Sequence, residues 1–149
     1  MEWIIIFIAS WILFLLLIDW TELKVNIWSG IMAVVLQLAI DAQAISHSWY
    51  KINRGVLWIF GSSLFFVMGP VLVIGVLLAQ YHPIKRWMRI VNVFVLAALF
   101  SIYELLVLAR KALVYTDWHH PESLVVNLSA MIILSWFSIV VLDKKGESN

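Results

Sequence analysis

Two carboxylates in this sequence stand where their neighbours offer them no water. Glu104 lies well inside Ile90–Leu108 (IVNVFVLAALFSIYELLVL), and Asp41 lies toward the end of the apolar stretch Val25–Ile45. An apolar run of about 18 residues or more reads as a membrane-spanning helix. Within one, an ionisable side chain is costly and faces a partner or a cavity rather than lipid. Two acids brought close in a low-dielectric medium oppose each other's charge, so a proton or a cation would be held between them. The competing reading is structural, with each acid paired to a Lys or Arg near the interface or joining helices by hydrogen bonds. Gln37, Asp41 and Ala44 recur at i, i+4 and i+7, with Ser48 at i+11, which puts a polar stripe on one helical face. Tyr103, beside Glu104, and Asn127 complete the candidate ligand- or proton-site residues.

The elements that must position these groups follow from composition and hydropathy. The chain has 149 residues, 64% hydrophobic and 13% charged, with a mean hydropathy of +0.99. Soluble domains sit near about 45–50% apolar with roughly a quarter of residues charged, so lipid is expected to solvate most of this exterior. One transmembrane domain is expected, an all-α bundle of five helices spanning residues 3–18, 25–45, 56–81, 90–108 and 124–142. No cleavable signal is read before the first span, because Met1-Glu2 carries no Lys or Arg and no A-x-A pattern follows. Trp3 and Trp20 bracket that span as interfacial anchors would. Thr21 or Asp19 is placed to cap the second helix. Residues 46–54 read as an interfacial loop. Pro70, after Gly69, predicts a kink in the third span, and neighbouring helices must satisfy the carbonyl it frees. The fourth helix is read as running to Leu108, with an extension to Tyr115 in which Arg110 and Lys111 snorkel. Pro121 and Glu122 suit the first turn of the last helix.

Five spans put the termini on opposite sides. Lys51, Arg54, Arg110 and Lys111 fall on one side; Lys24, Lys85, Arg86, Arg89, Lys144 and Lys145 fall on the other. The excess on the second side predicts an outside N-terminus and a cytoplasmic C-terminus in a bacterial plasma membrane. Helices two and four then run outward together. Asp41 is about five residues short of Ser46, roughly 7–8 Å, and Glu104 about six short of Arg110, roughly 9 Å, at the helical rise of 1.5 Å. Asn127 enters the same outer layer from the last helix, with His47, His119, His120 and Arg110 just above it as an outer-side cluster.

Other chemistry is sparse. There is no cysteine, which excludes disulfides, thiolate metal sites and cysteine nucleophiles. Adjacent His119 and His120 do not project together from a helix and no H-E-x-x-H motif occurs, so a metal site would need His47 and none is expected. No G-x-S-x-G elbow, P-loop or mid-span lysine appears, and no cofactor is expected. The net charge of +1 offers no nucleic-acid surface. Of the nine Trp, only Trp11 and Trp136 look deep, and packing accounts for them.

Length, helix count and Trp richness are also features of the translocator/tryptophan-rich sensory family, but its Trp-Pro-Pro loop is missing here. The layout resembles small uncharacterised multi-pass membrane proteins of endospore-forming Gram-positive bacteria in its Trp-rich first helix, Gln37 and Asp41 in helix two, and Tyr103-Glu104 in helix four. That resemblance supplies no activity. The leading expectation is a non-enzymatic sensor or accessory subunit whose polar layer binds a small ligand or a partner helix, from a membrane protein or a second copy. The alternatives are a small proton- or cation-coupled transporter using Asp41 and Glu104 with Gly69-Pro70 as the joint, and an intramembrane lipid-modifying enzyme using Asp41, Glu104 and His119.

Overall fold

The computed structural model describes residues 2–53, 55 and 57–143. The described chain is mostly helical, with helices α1 (Glu2–Leu17), α2 (Leu23–Ser46), α3 (Leu64–Gln80), α4 (Arg86–Ala109) and α5 (His120–Val140). Four short strands, β1 (Tyr50–Ile52), β2 (Trp58–Ile59), β3 (Ser62–Ser63) and β4 (Leu113–Tyr115), gather at one end. Three helices, α2, α4 and α5, are long and apolar enough to cross a membrane; α1 and α3 are shorter apolar helices. The exterior is correspondingly greasy, with Leu16 77%, Val125 65% and Phe94 58% exposed. Patches of that kind mark contact with lipid or protein.

Three boundaries differ from the sequence reading, and each has a local cause. The third helix begins at Leu64, not near residue 56, because Trp58–Ile59 and Ser62–Ser63 form an antiparallel hairpin. Its two-residue turn is Phe60-Gly61, both at positive φ (47° and 84°), the geometry that two-residue hairpins favour. The loop expected over residues 46–54 contains β1, which pairs antiparallel with β4 in the register Tyr50↔Tyr115, Lys51↔Val114 and Ile52↔Leu113. The fourth helix therefore stops at Ala109, and Tyr115 belongs to a strand. Neither Thr21 nor Asp19 caps α2. Asp19 instead accepts bonds from the Thr21 amide (2.9 Å) and hydroxyl (2.6 Å), while Glu22 stands at the N-cap with its side chain turned to Asn26 (3.4 Å) rather than to the helix end.

The predicted kink is a π-helical turn over Val67–Val71 around Pro70. A π-turn absorbs the missing N–H by widening the ladder, and the Trp11 indole N–H donates to the Met68 carbonyl inside it (3.2 Å). At α5, Pro121 lies in the first turn, and Glu122 reaches back to accept the His119 amide (2.8 Å) while the His119 side chain completes the capping box.

Helix directions alternate. Leu17, at the far end of α1, accepts bonds from Gln80 (2.7 Å) and Tyr81 (2.9 Å) at the end of α3. At the strand end, Trp3 donates to the Asn53 carbonyl (2.8 Å). Trp3 is thus 2% exposed and packed against Phe66, not an interfacial anchor, because the ribbon covers it. Helix α2 packs most extensively on α3, α4 packs on α5, and α5 also meets α2 and α3; α1 lies along α3. The α2–α3 contact is close because glycines face it. A Cβ on Gly75 would stand 2.7 Å from Ala33 Cβ, and one on Gly30 would stand 2.6 Å from Val76 Cγ2. Small residues allow two helix backbones to approach this closely. Ala33, Val71, Leu78, Val93, Ala97, Met131 and Leu134 form the central core joining α2 through α5.

Candidate functional site

The polar stripe of α2 and the carboxylate of α4 open onto one cavity just beneath the β1–β4 ribbon. Asp41 is 1% exposed. It accepts one hydrogen bond from Gln37 (2.8 Å), one turn earlier on α2, and another from the Tyr50 hydroxyl on β1. Both reach Oδ1; Oδ2 is buried without a hydrogen bond, with the Ser62 hydroxyl and the Glu104 charge as its other neighbours. Glu104 is more fully held. Its Oε1 accepts from the Ser123 hydroxyl (2.6 Å) and from the Tyr115 hydroxyl, and its Oε2 accepts from Asn127 Nδ2 (3.0 Å). Asn127 Nδ2 also lies 3.2 Å from Ser101 Oγ, and Trp118 Nε1 donates to Ser123 (2.6 Å).

These groups line a cavity of about 60 Å³ whose walls include Gln37, Asp41, Tyr50, Tyr103, Glu104 and Asn127. It has room for a few waters or a single small ion and is well below the roughly 300 Å³ at which organic-ligand pockets begin. Helices α2 and α4 make no extensive direct contact among the described residues, and Asp41 and Glu104 both line the space. The hydroxyl of Tyr103, a ring stacked on Phe66 at 6.2 Å, is buried with no hydrogen-bond partner.

The two acids occupy equivalent places in a repeated unit. Each helix ends with the same pair of backbone bonds, Trp49 N to Ala44 O with Ser48 N to Ile45 O, and Ala112 N to Val107 O with Lys111 N to Leu108 O. This is the Schellman closure. Its left-handed residues are Ser48 (φ 58°) and Lys111 (φ 56°), and each stands seven positions after its carboxylate. The offset is 63 throughout (104 − 41, 111 − 48), and the central strand pair Lys51↔Val114 repeats it (114 − 51). Asp41 and Glu104 therefore hold equivalent positions in two helix–turn–strand units whose strands pair antiparallel. The tyrosines break the repeat: they are cross-strand partners, and each hydroxyl bonds the acid of its own unit.

Of the residues singled out from sequence, Asp41, Glu104, Gln37, Asn127 and Tyr103 come together here. The outer cluster does not. His47 stacks on Trp49 (5.0 Å), which stacks on Trp118 (5.0 Å); His119 caps α5, His120 Nδ1 is buried and unpartnered, and Arg110 sits exposed at the end of α4. Among the described residues no group of three His, Cys, Asp or Glu could hold a metal ion. Sequence reasoning missed Tyr50, Tyr115, Ser123, Ser62 and Trp118. The signal for the two tyrosines was their placement a helix end beyond each acid, readable only once residues 113–115 are known to form a strand.

The chain matches no family model, no curated protein and no solved structure.

Both tyrosines lie outside the helices, and both ionise less readily than usual. Burial pushes the Tyr50 phenol well up, reinforced by the Asp41 charge and hydrogen bond. Burial and then the bond to Glu104 do the same to Tyr115. Each phenol therefore remains a hydrogen-bond donor to its carboxylate. Chemically the site offers two acids with fixed donors, a buried acceptor oxygen on Asp41 and little free volume.

Proposed function

We propose that this chain is a five-span protein of a bacterial plasma membrane, N-terminus outside and C-terminus cytoplasmic, acting as a non-enzymatic sensor or accessory subunit. The Asp41–Glu104 cavity is its responsive element, and its occupant is a proton with water, or one small monovalent cation. The observation that carries this reading is the combination of two carboxylates lining one space, a hydrogen-bond-free Asp41 Oδ2 and a volume of about 60 Å³. A protein helix or an organic ligand of ordinary size does not fit such a space. A proton or a dehydrated ion does, and it would relieve the opposed charges.

Thermal unfolding of the purified protein in nanodiscs, with lithium, sodium, potassium or choline chloride across a range of pH, tests this. A bound ion stabilises the folded state by mass action, so the midpoint moves with pH or with one alkali cation, and Glu104→Gln abolishes the movement. Midpoints indifferent to both, or turnover of a substrate by the protein alone, would contradict the reading.

A transporter is the second reading. A smaller void of about 30 Å³ shares Gln37, Ile40, Phe100 and Asn127 with the first and extends inward toward Met131 and Leu134, and the π-turn at Pro70 supplies a weak point in α3. Broken helices beside polar sites are typical of transporters. Cation or proton flux into liposomes that disappears with Glu104→Gln would favour it.

A further inference from the structure

The two acids differ in where their hydrogen bonds fall. Glu104 accepts on both oxygens, from Ser123 (2.6 Å) and Tyr115 at Oε1 and from Asn127 (3.0 Å) at Oε2. That is the pattern of a carboxylate, which only accepts. At Asp41 both donors, Gln37 (2.8 Å) and Tyr50, reach the same oxygen, Oδ1. Oδ2 is buried and accepts nothing, and an acceptor buried without a donor is costly. A protonated carboxyl has one oxygen that accepts and one that donates, which is the arrangement Asp41 shows.

The β2–β3 hairpin supplies something for Oδ2 to donate to. Its turn is seated on α2: a Cβ on Gly61 would lie 2.9 Å from Ile45 Cδ1, one helical turn beyond Asp41. The next residue, Ser62, is 0% exposed and is the remaining polar neighbour of Asp41. Its hydroxyl has no hydrogen-bond partner. The ionisable groups that share the cavity with Asp41 are Tyr50 from β1 and Tyr103 and Glu104 from α4, with Tyr115 of β4 bonded to Glu104. Helices α1, α3 and α5 add no ionisable side chain to its wall, and among the described residues no Lys, Arg or His lines it. A second negative charge would therefore be opposed by the first and balanced by nothing.

We infer that the pair holds one proton, that this proton resides on Asp41 Oδ2 and is donated to Ser62 Oγ, and that Glu104 is the fixed carboxylate beside it. The inference rests on the acid-pair reading above and goes past it, in assigning the occupant to one oxygen and in making the hairpin part of the site. Ser62 acts through Asp41, as a positioning residue.

Infrared difference spectra of the full chain in nanodiscs test the assignment, with either aspartate or glutamate isotopically labelled at the side-chain carboxyl carbon. A heavier carbon lowers the C=O stretch. The carboxylic band that responds to pH should therefore move in the aspartate-labelled protein and stay in place in the glutamate-labelled one. It should be missing from Asp41→Asn, which separates Asp41 from Asp19, Asp117 and Asp143; asparagine accepts and donates as the protonated acid does, so this variant keeps the local hydrogen bonds. Ser62→Ala should retain the band at a higher frequency, because the acid O–H has lost its acceptor, and Ser62→Thr should restore the wild-type frequency. A band that follows the glutamate label, or one whose frequency ignores Ser62→Ala, would overturn the assignment while leaving the acid pair responsive. No carboxylic band under either label would overturn the acid-pair reading itself, and this inference with it.

Discussion

Asp41 and Glu104 differ in how completely their hydrogen bonds are met, and that difference sets the cost of losing a tyrosine. Glu104 accepts from Ser123 and Asn127 as well as Tyr115. Asp41 accepts from Gln37 and Tyr50, both on Oδ1, with the Ser62 hydroxyl as its other polar neighbour. Tyr50→Phe should therefore destabilise by about 1–3 kcal/mol, since a buried carboxyl group loses one of its few hydrogen bonds, and Tyr115→Phe by only about 1 kcal/mol. Denaturant unfolding in bicelles checks the order, and a larger loss at Tyr115 would contradict the assignment. The raised phenols also give a pH sign. An unfolded tyrosine ionises near its ordinary value of 10.0, whereas folded Tyr50 and Tyr115 hold their protons beyond it. The folded state then binds more protons than the unfolded one, so stability falls as pH rises above that value, and the fall should be shallower in Tyr50→Phe. At this scale the acids, Gln37 and Asn127 were legible, because polar residues inside apolar runs announce themselves. Tyr50 and Tyr115 were not, since tyrosine near a helix end is also what an interfacial anchor looks like.

Among the elements, the α2–α3 contact is the tightest and the most sensitive. A side chain at Gly75 meets the Ala33 Cβ at 2.7 Å and the Gly30 Cα at 2.9 Å, and neither can step aside as a flexible side-chain tip can. Gly75→Leu should therefore cost about 1–3 kcal/mol or more through overpacking. Ala98→Leu on an exposed face of α4 should stay within about 0.5 kcal/mol. Comparable losses at the two positions would count against the packing described. The five helices were legible from hydropathy, as was the break at Pro70. The hairpin of β2 and β3 was not: hydropathy sees Leu57, Trp58, Ile59 and Phe60 as the start of a span, and a single glycine, Gly61, is the sequence's one hint of the turn. The β1–β4 ribbon joins segments about sixty residues apart, so no local pattern could announce it.

For the whole molecule, helix directions alternate and the ribbon lies at one end, so the proposed five-span reading puts everything near β1 on one side of the membrane and the α3–α4 connection on the other. The chain contains no cysteine, so single-cysteine variants report sidedness cleanly. In intact cells Lys51→Cys should react with a membrane-impermeant maleimide, and Lys85→Cys only after permeabilisation; the reverse pattern would invert the proposed topology. The repeated helix–turn–strand unit belongs to this scale as well. It places two acids that are 63 residues apart (104 − 41) on one cavity through two copies of a helix–turn–strand unit. Depth counting along the sequence brought Asp41, Glu104 and Asn127 into one layer, but the contacts that fix them come from the ribbon above.

Infrared difference spectroscopy of the protein in nanodiscs, between acid and alkaline buffer, tests the Asp41–Glu104 site most directly. A protonated carboxylic acid shows a C=O stretch that a carboxylate lacks. The predicted spectrum contains one such band that responds to pH or to an alkali cation and vanishes in both Asp41→Asn and Glu104→Gln, because the proposed site needs both carboxyl groups. A band that survives either substitution unchanged, or carboxyls that ignore pH and cations alike, would mean that the pair is a static joint between helices rather than a responsive site.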